Sequence, residues 1–242
     1  MVESIWRKGK LFGFMLLAGI LLMAKPALAD SYYPYEIQGY DVTVKVGKDN
    51  VYHVTERLQV NFNQARHGIY RDIPVINNVS REDGSTSRIQ ARVTNIKTYG
   101  EKKTVGREGS YCRIQLGDKN KTLVGEHMYH ISYDYNMGKD VRKGEDEFYY
   151  NIIGTSWDTT IQNVTFHIMM PEDIDESKVG MAYGESGSTN NEGLQYTING
   201  KVMEGYVDPS IILNPGEAVT VRMVLPDGYY DQVKQRIWPA LI

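Results

Sequence analysis

Glu56, Asp72, Glu147 and Asp158 are the carboxylates available for acid–base work, and two of them opposed across a cleft would make a glycosidase. The sequence places no two of them at a catalytic separation. A zinc site needs several His, Cys or carboxylate ligands converging on one point. His127 and His130 are three residues apart on an alternating segment, so they face opposite ways, and the other three histidines stand alone. Asp140 to Glu147 lacks the spacing of a calcium loop and reads as solvated loop charge. Gly184-Glu185-Ser186-Gly187-Ser188 lacks the last glycine of a serine-hydrolase elbow. Leu225-Pro226-Asp227-Gly228 lacks the threonine of a sortase signal, and the sequons at Asn78, Asn120 and Asn163 read as chance matches. Cys112, the single cysteine, alternates with Ile114 and Leu116, so its thiol faces inward as a small hydrophobe and not as a nucleophile. These patterns assign no catalytic residue, no metal and no cofactor.

The informative segment is Arg66-His67-Gly68-Ile69-Tyr70-Arg71-Asp72-Ile73-Pro74. Gly68 permits positive φ, and Pro74 pushes Ile73 toward an extended conformation. If residues 69–73 are extended, Ile69, Arg71 and Ile73 all point inward. Glu56 is the only charged residue on the apolar parity of the segment before it. Each charge is costly to bury alone, so the expectation is a mutual ion pair of Glu56 with Arg71, with Arg66 as the second candidate partner. The other reading is that the two hold something that enters from outside. Glu56, Arg66, His67, Tyr70, Arg71 and Asp72 are therefore the candidate structural or binding residues.

The elements that must position them alternate with period two. In residues 51–63, Tyr52, Val54, Leu58, Val60 and Phe62 share one parity and polar residues the other, which is a half-buried strand. Tyr40, Val42, Val44 and Val46 alternate before it, with Gly47-Lys48-Asp49-Asn50 as turn, so residues 36–62 read as a hairpin. The pattern recurs around Tyr129–Tyr135, Val164–Met170, Leu194–Ile198 and Val219–Leu225, separated by Gly, Pro, Asn and Ser clusters. An all-β fold follows, a single large antiparallel β-sandwich over residues 30–226, with a short helix expected only around 228–238. The 18 tyrosines read as packing residues of a sheet, and Tyr70 and Tyr149 to Trp157 are expected to pack inward, without forming an exposed stacking platform.

Residues 1–29 read as a cleaved signal peptide: Arg7, Lys8 and Lys10, an apolar run from Leu11 to Met23, then Ala27-Leu28-Ala29. Thirteen apolar residues fall short of the ~20 that span a bilayer. Removing that segment leaves 23 basic against 29 acidic residues, a formal charge of -6. A chain without basic excess is not built to hold a phosphate backbone, which excludes nucleic acid as a partner. With one cysteine, no internal disulfide can form, and a mature domain of about 210 residues must rely on its core.

The signal-peptide pattern, the hairpin carrying Val54-Thr55-Glu56 with its closing Phe62, and His67-Gly68-Ile69-Tyr70-Arg71-Asp72-Ile73-Pro74 resemble the YciQ-like family of predicted bacterial membrane proteins. Asp146-Glu147-Phe148-Tyr149-Tyr150-Asn151-Ile152-Ile153-Gly154, Trp157, Ile161-Gln162-Asn163-Val164, Pro171 and Leu213-Asn214-Pro215-Gly216-Glu217 extend the resemblance over nearly the whole mature chain. It implies a β-rich domain outside the cytoplasmic membrane, followed by transmembrane segments, with no family catalytic residues. The chain departs from that pattern in stopping at Ile242, just as Ile237-Trp238-Pro239-Ala240-Leu241-Ile242 turns apolar. A truncated member, a fragment and a secreted single-domain relative all stay open. The expectation is a non-enzymatic extracytoplasmic binding or sensory domain of a bacterial membrane-associated protein, with residues 227–242 as its juxtamembrane or C-terminal segment. Its ligand would be an envelope protein or glycan. The alternative is a carbohydrate-active enzyme of the cell envelope using paired carboxylates.

Overall fold

The alternation that marks the first hairpin also builds the larger sheet. β1 (Tyr35–Val46) and β2 (Val51–Arg66) pair antiparallel, Val44 opposite Val54 and Val42 opposite Glu56. Between them Asn50 takes a positive φ of 57°, and its N–H donates to the Gly47 carbonyl at 3.0 Å. The computed structural model describes residues 33–80, 84, 86–139 and 144–234, so the signal-peptide reading of residues 1–29 and the apolar end from Ile237 lie outside the described residues.

Thirteen further strands follow. They are β3 (Ile69–Pro74), β4 (Ile76–Ser80), β5 (Thr86–Gln90), β6 (Arg92–Thr98), β7 (Lys103–Glu108), β8 (Tyr111–Leu116) and β9 (Leu123–Asn136). Next come β10 (Glu145–Ile153), β11 (Val164–Met169), β12 (Val179–Gly184), β13 (Leu194–Asn199), β14 (Val202–Val207) and β15 (Ala218–Pro226). The large sheet runs β13-β14-β11-β1-β2-β9-β6; two three-stranded sheets, β10-β15-β12 and β3-β8-β7, and a β4-β5 pair accompany it. One core joins them. Val42, Leu58, Ile131 and Phe166 from the large sheet, Ile73 and Ile114 from β3 and β8, and Phe148, Val221 and Met223 from β10 and β15 belong to a single buried cluster. Tyr52 of β2 meets Phe148 and Tyr150 of β10 at ring centroids 5.1 and 5.8 Å apart, so aromatic packing crosses from sheet to sheet.

The architecture is the all-β one expected, with differences of detail. β1 and β11 pair parallel, Tyr40 beside Val164 and Val44 beside Ile168, which the long excursion through residues 47–163 permits. The short helix expected around 228–238 is absent from the described part: residues 227–234 form turns and irregular chain, and among the described residues the one helical turn is a 3₁₀ turn at Glu176–Lys178. Glu145–Glu147 are not solvated loop charge either. They open β10, where Asp146 and Glu147 are buried, because β15 covers their backbone and supplies Arg222 to Glu147.

Nine of the 17 tyrosines among the described residues are buried, which makes tyrosine a core residue here. Tyr70 is the correction, at 49% exposure. Its neighbours Ile69, Arg71 and Ile73 take the inward parity of β3, and a residue between them must point out.

Where β2 passes into β3, the backbone crosses the end of β8 so closely that only glycine fits. Gly68 has φ of 126°, and a Cβ on it would lie 1.8 Å from the Leu116 carbonyl oxygen; Gly117 has φ of 134°, and a Cβ there would lie 2.0 Å from the His67 carbonyl oxygen. We expect Gly68→Ala and Gly117→Ala each to cost about 3 kcal/mol or more, since backbone collision adds to the strain of the left-handed conformation. Gly106→Ala, where a Cβ would meet nothing within 4 Å, should stay within about 0.5 kcal/mol of wild type in thermal melts.

Candidate functional site

Glu56 lies on the inward parity of β2, opposite Val42 of β1 and Ile131 of β9, with no solvent exposure. Arg71 reaches it from β3. The guanidinium Nη2 donates to Glu56 Oε1 at 2.8 Å, and Nε donates to Oε2 at 2.8 Å and to Oε1 at 3.2 Å. Two tyrosines on the flanking strands complete the set: the Tyr40 hydroxyl donates to Oε2 at 2.7 Å and the Tyr133 hydroxyl to Oε1 at 2.6 Å. Tyr133 is itself 3.0 Å from the Tyr150 hydroxyl. A carboxylate offers about four acceptor positions, and here protein donors make three contacts to Oε1 and two to Oε2, with the Arg71 Nε shared between them.

Arg71 is held as firmly. Its Nη1 donates to the Asp72 carbonyl at 2.8 Å, and its guanidinium carbon lies 5.8 Å from the Trp157 ring centroid. Tyr40 packs edge-on against the same Trp157 ring at 5.7 Å. Burial alone would raise the Glu56 carboxyl pKa, but the Arg71 charge and the hydrogen bonds from Arg71, Tyr133 and Tyr40 outweigh it and hold the group below the usual carboxylate range. Burial likewise opposes the charge on Arg71, and Glu56 more than restores it. Tyr40 and Tyr133 are pushed well above the ordinary tyrosine value, first by burial, so both keep the protons they donate.

The other candidates of the segment part company with this pair. Arg66 lies over the Tyr35 ring at 5.2 Å, not on Glu56. His67 is exposed, with Nδ1 2.9 Å from the Lys121 carbonyl. Asp72 faces outward and accepts two bonds from Arg113 of β8, at 2.8 and 2.7 Å, while Arg113 lies 5.1 Å over the Tyr70 ring. The Cys112 thiol is half-buried against the core, with its pKa raised by burial and then by Asp72, which disfavours the thiolate. Glu147 is engaged with Arg222 at 2.6 Å, and Asp158 accepts the Tyr35 hydroxyl at 2.5 Å. Each of the four carboxylates considered for acid–base work is thus bound to a different partner. Among the described residues, no three His, Cys, Asp or Glu side chains gather in a way that could hold a metal ion.

A second constellation escapes sequence reading. On the outer face of the large sheet lies a shallow depression of about 650 Å³, lined by Asp41 and Thr43 of β1, Arg57 and Gln59 of β2, Met128 of β9, Asn163, Thr165 and His167 at β11, and Glu204 of β14. Register brings them together: Asp41 stands between Arg57 and Thr165, and His167 between Thr43 and Glu204. Asp41 accepts from the Thr165 hydroxyl at 2.9 Å and from Arg57 at 3.4 Å, while His167 lies 3.4 Å from Glu204 and 3.8 Å from Asp41. Asn163 stands just before β11 with φ of 49°. Outward parity was visible along each strand, but the order of strands that gathers these residues was not.

The buried pair gives a quantitative expectation. Removing one member of a buried ion pair leaves the other charge uncompensated, so Glu56→Ala and Arg71→Ala should each cost about 3–5 kcal/mol. The double variant should cost clearly less than the sum of the two. Because the folded-state Glu56 pKa is depressed, its stabilisation is present above the unfolded value near pH ~4.3 and is lost as pH falls through the lower folded value. Denaturant titrations should show that acid-limb loss in wild type and a shallower one in Glu56→Leu/Arg71→Met. Additive single-variant costs would contradict the coupling.

No curated protein matches this sequence. Solved structures with similar arrangements include an M1 zinc metallopeptidase from Deinococcus radiodurans, at a TM-score of 0.39 and 11% identity over 78% of this chain and 42% of that one. Native leukotriene A4 hydrolase from Saccharomyces cerevisiae reaches a TM-score of 0.43 at 6% identity, over 83% of this chain and 32% of that one. The chain therefore spans less than half the length of either, and likenesses at these scores bear on neither its fold nor its activity. Among the described residues, no helix is long and apolar enough to cross a membrane. The family match is different in kind, for residues 36–225 correspond to the N-terminal domain of a family of predicted membrane proteins (DUF2207), and the chain belongs to that family.

Proposed function

We propose that this domain is a non-enzymatic binding domain, held on the extracytoplasmic side of the membrane by the part of the protein that follows it, and that it takes an envelope glycan on the outer face of its large sheet. The observation that carries this reading is the depression around Asp41 and Arg57. Hydrogen-bonding side chains from several strands converge there at the surface, while the Glu56 carboxylate is closed off inside.

The chemistry of that face suits a neutral, hydroxyl-rich chain. Asp41, Glu204, Arg57 and His167 place acceptors and donors side by side without a large excess of either charge. Gln59, Asn163, Thr43 and Thr165 add uncharged donors and acceptors. Exposed Met128, and Tyr206 beside Thr165 in the β11–β14 register, offer apolar surface for the faces of sugar rings. An extended polymer needs a shallow, open site of this kind more than a deep cleft. The family's description as a membrane-protein domain supports the tether, and the signal-peptide pattern at residues 1–29 supports the side.

Co-sedimentation with insoluble envelope glycan tests the site. Wild type should pellet with the glycan, and Asp41→Ala/Arg57→Ala should bind about tenfold or more weakly, some 1.4 kcal/mol, with an unchanged melting temperature. Equal binding by the two would remove this face from the reading. Protease added to intact spheroplasts should digest the domain; protection there combined with digestion after lysis would place it on the other side of the membrane.

A further inference from the structure

We propose that the sandwich stands end-on to the bilayer, with its Gly47–Asn50 turn resting against phospholipid headgroups, and that a clasp of Lys48, Asp146 and Glu172 on the segment after β15 holds it in that stance. This rests on the reading that the protein continues into the membrane beyond the domain.

The clasp is built from independent contacts. Past Pro226 the chain turns back, the Tyr229 N–H donating to the Pro226 carbonyl at 3.1 Å, and both Tyr229 and Tyr230 become buried. The Lys48 ammonium donates to the Tyr229 carbonyl at 3.1 Å, lies 4.3 Å over the Tyr229 ring, and pairs with Glu172. The Glu172 N–H donates to the Tyr229 hydroxyl at 3.2 Å. Asp146 accepts from the Tyr230 N–H at 2.9 Å, and the Gln232 N–H donates to the Lys48 carbonyl at 3.2 Å. A segment with two buried rings and this many partners is part of the fold, not a loose leader to the membrane.

All of these partners lie at one end of the sandwich. Lys48 is in the turn between β1 and β2, Glu172 follows β11, and Asp146 is near the start of β10 opposite Leu225. β2 runs from that end at Val51 to Phe62 in continuous register with β9, roughly 36 Å at ~3.3 Å per residue. His67 and Lys121 lie at the other end, beyond Phe62. From Lys234, the last described residue, Gln235 and Arg236 lead to the apolar run that starts at Ile237, and these three residue steps reach at most about 11 Å. A bilayer entered there lies close to the turn and far from His67.

Fluorophores on single cysteines test the stance in the full-length protein. Lys139→Cys is exposed beside the turn and Lys121→Cys exposed at the opposite end, each in a Cys112→Ala background, with the protein in vesicles containing headgroup-spin-labelled phosphatidylcholine. Position 139 should be quenched several-fold more strongly than position 121; equal or reversed quenching overturns the stance. Failure of the protein to float with the vesicles would instead remove the membrane reading, and the stance with it. Lys48→Ala/Asp146→Asn should weaken quenching at position 139 without changing flotation, and unchanged quenching would show that the clasp does not hold the domain.

Discussion

The Glu56–Arg71 pair is costly to bury, and the surrounding structure is arranged to offset that cost. Two full charges leave water at the centre of an apolar cluster, and the penalty for each is several kcal/mol before any partner is counted. Coulomb attraction across 2.8 Å offsets part of it, and the hydroxyls of Tyr40 and Tyr133 satisfy the remaining carboxylate positions. Those tyrosines come from the strands on either side of β2, so the centre requires β1, β2, β9 and β3 to be in register together. A slip of β2 by one residue would turn Glu56 to the outside and bring Thr55 and Arg57 onto the inner face. Arg71 would then be buried without its counter-charge. The pair thus acts as a register device, penalising wrong alignments more than it stabilises the right one.

How much of this could be read from the sequence depends on whether a feature is local. Parity along a single strand exposed Glu56 and Arg71 as charges on apolar faces, and the same parity delimited the first hairpin and the later strands β9, β11, β13 and β15. Tyr40 and Tyr133 could not be assigned to Glu56, because their place beside it comes from cross-strand register. For the same reason the outer-face group of Asp41, Arg57, Thr165, His167 and Glu204 stayed hidden: Asp41 and Arg57 lie more than a hundred residues before Thr165, His167 and Glu204 in the chain, and the parallel β1–β11 pair joins the two halves. β7 was missed for a different reason. All six of its residues are exposed, so it has no buried face to write a period of two. The polar run after Gly228 suggested a helix, but buried Tyr229 and Tyr230 dock the chain against the turn, and residues 227–234 form turns there.

The two faces of the large sheet divide the work. Inside, acceptors and donors close on one another around Glu56, and a group so fully bonded has no capacity left for a ligand. Outside, the contacts between charged groups are longer and more exposed. Arg57 reaches Asp41 at 3.4 Å and His167 stands 3.8 Å from it, distances at which water competes and an entering hydroxyl can replace the partner. The proposed glycan site therefore sits on the face whose bonds are cheap to exchange.

The domain is also tied at three heights, which bears on how such recognition could be passed on. At one end, Lys48 and Asp146 hold the segment after β15; midway, Glu56 and Arg71 join the large sheet to β3; at the other end, the Gly68–Gly117 crossing locks the passage from β2 to β3 against β8. Sliding the large sheet over β3 or over the segment after β15 would break an ion pair, uncover buried rings or drive two backbones into collision, so these ties oppose such displacements. On the proposed reading, a ligand on the outer face would act by moving or restraining the domain as one body, with the clasped stretch from Tyr229 to Lys234 moving with it.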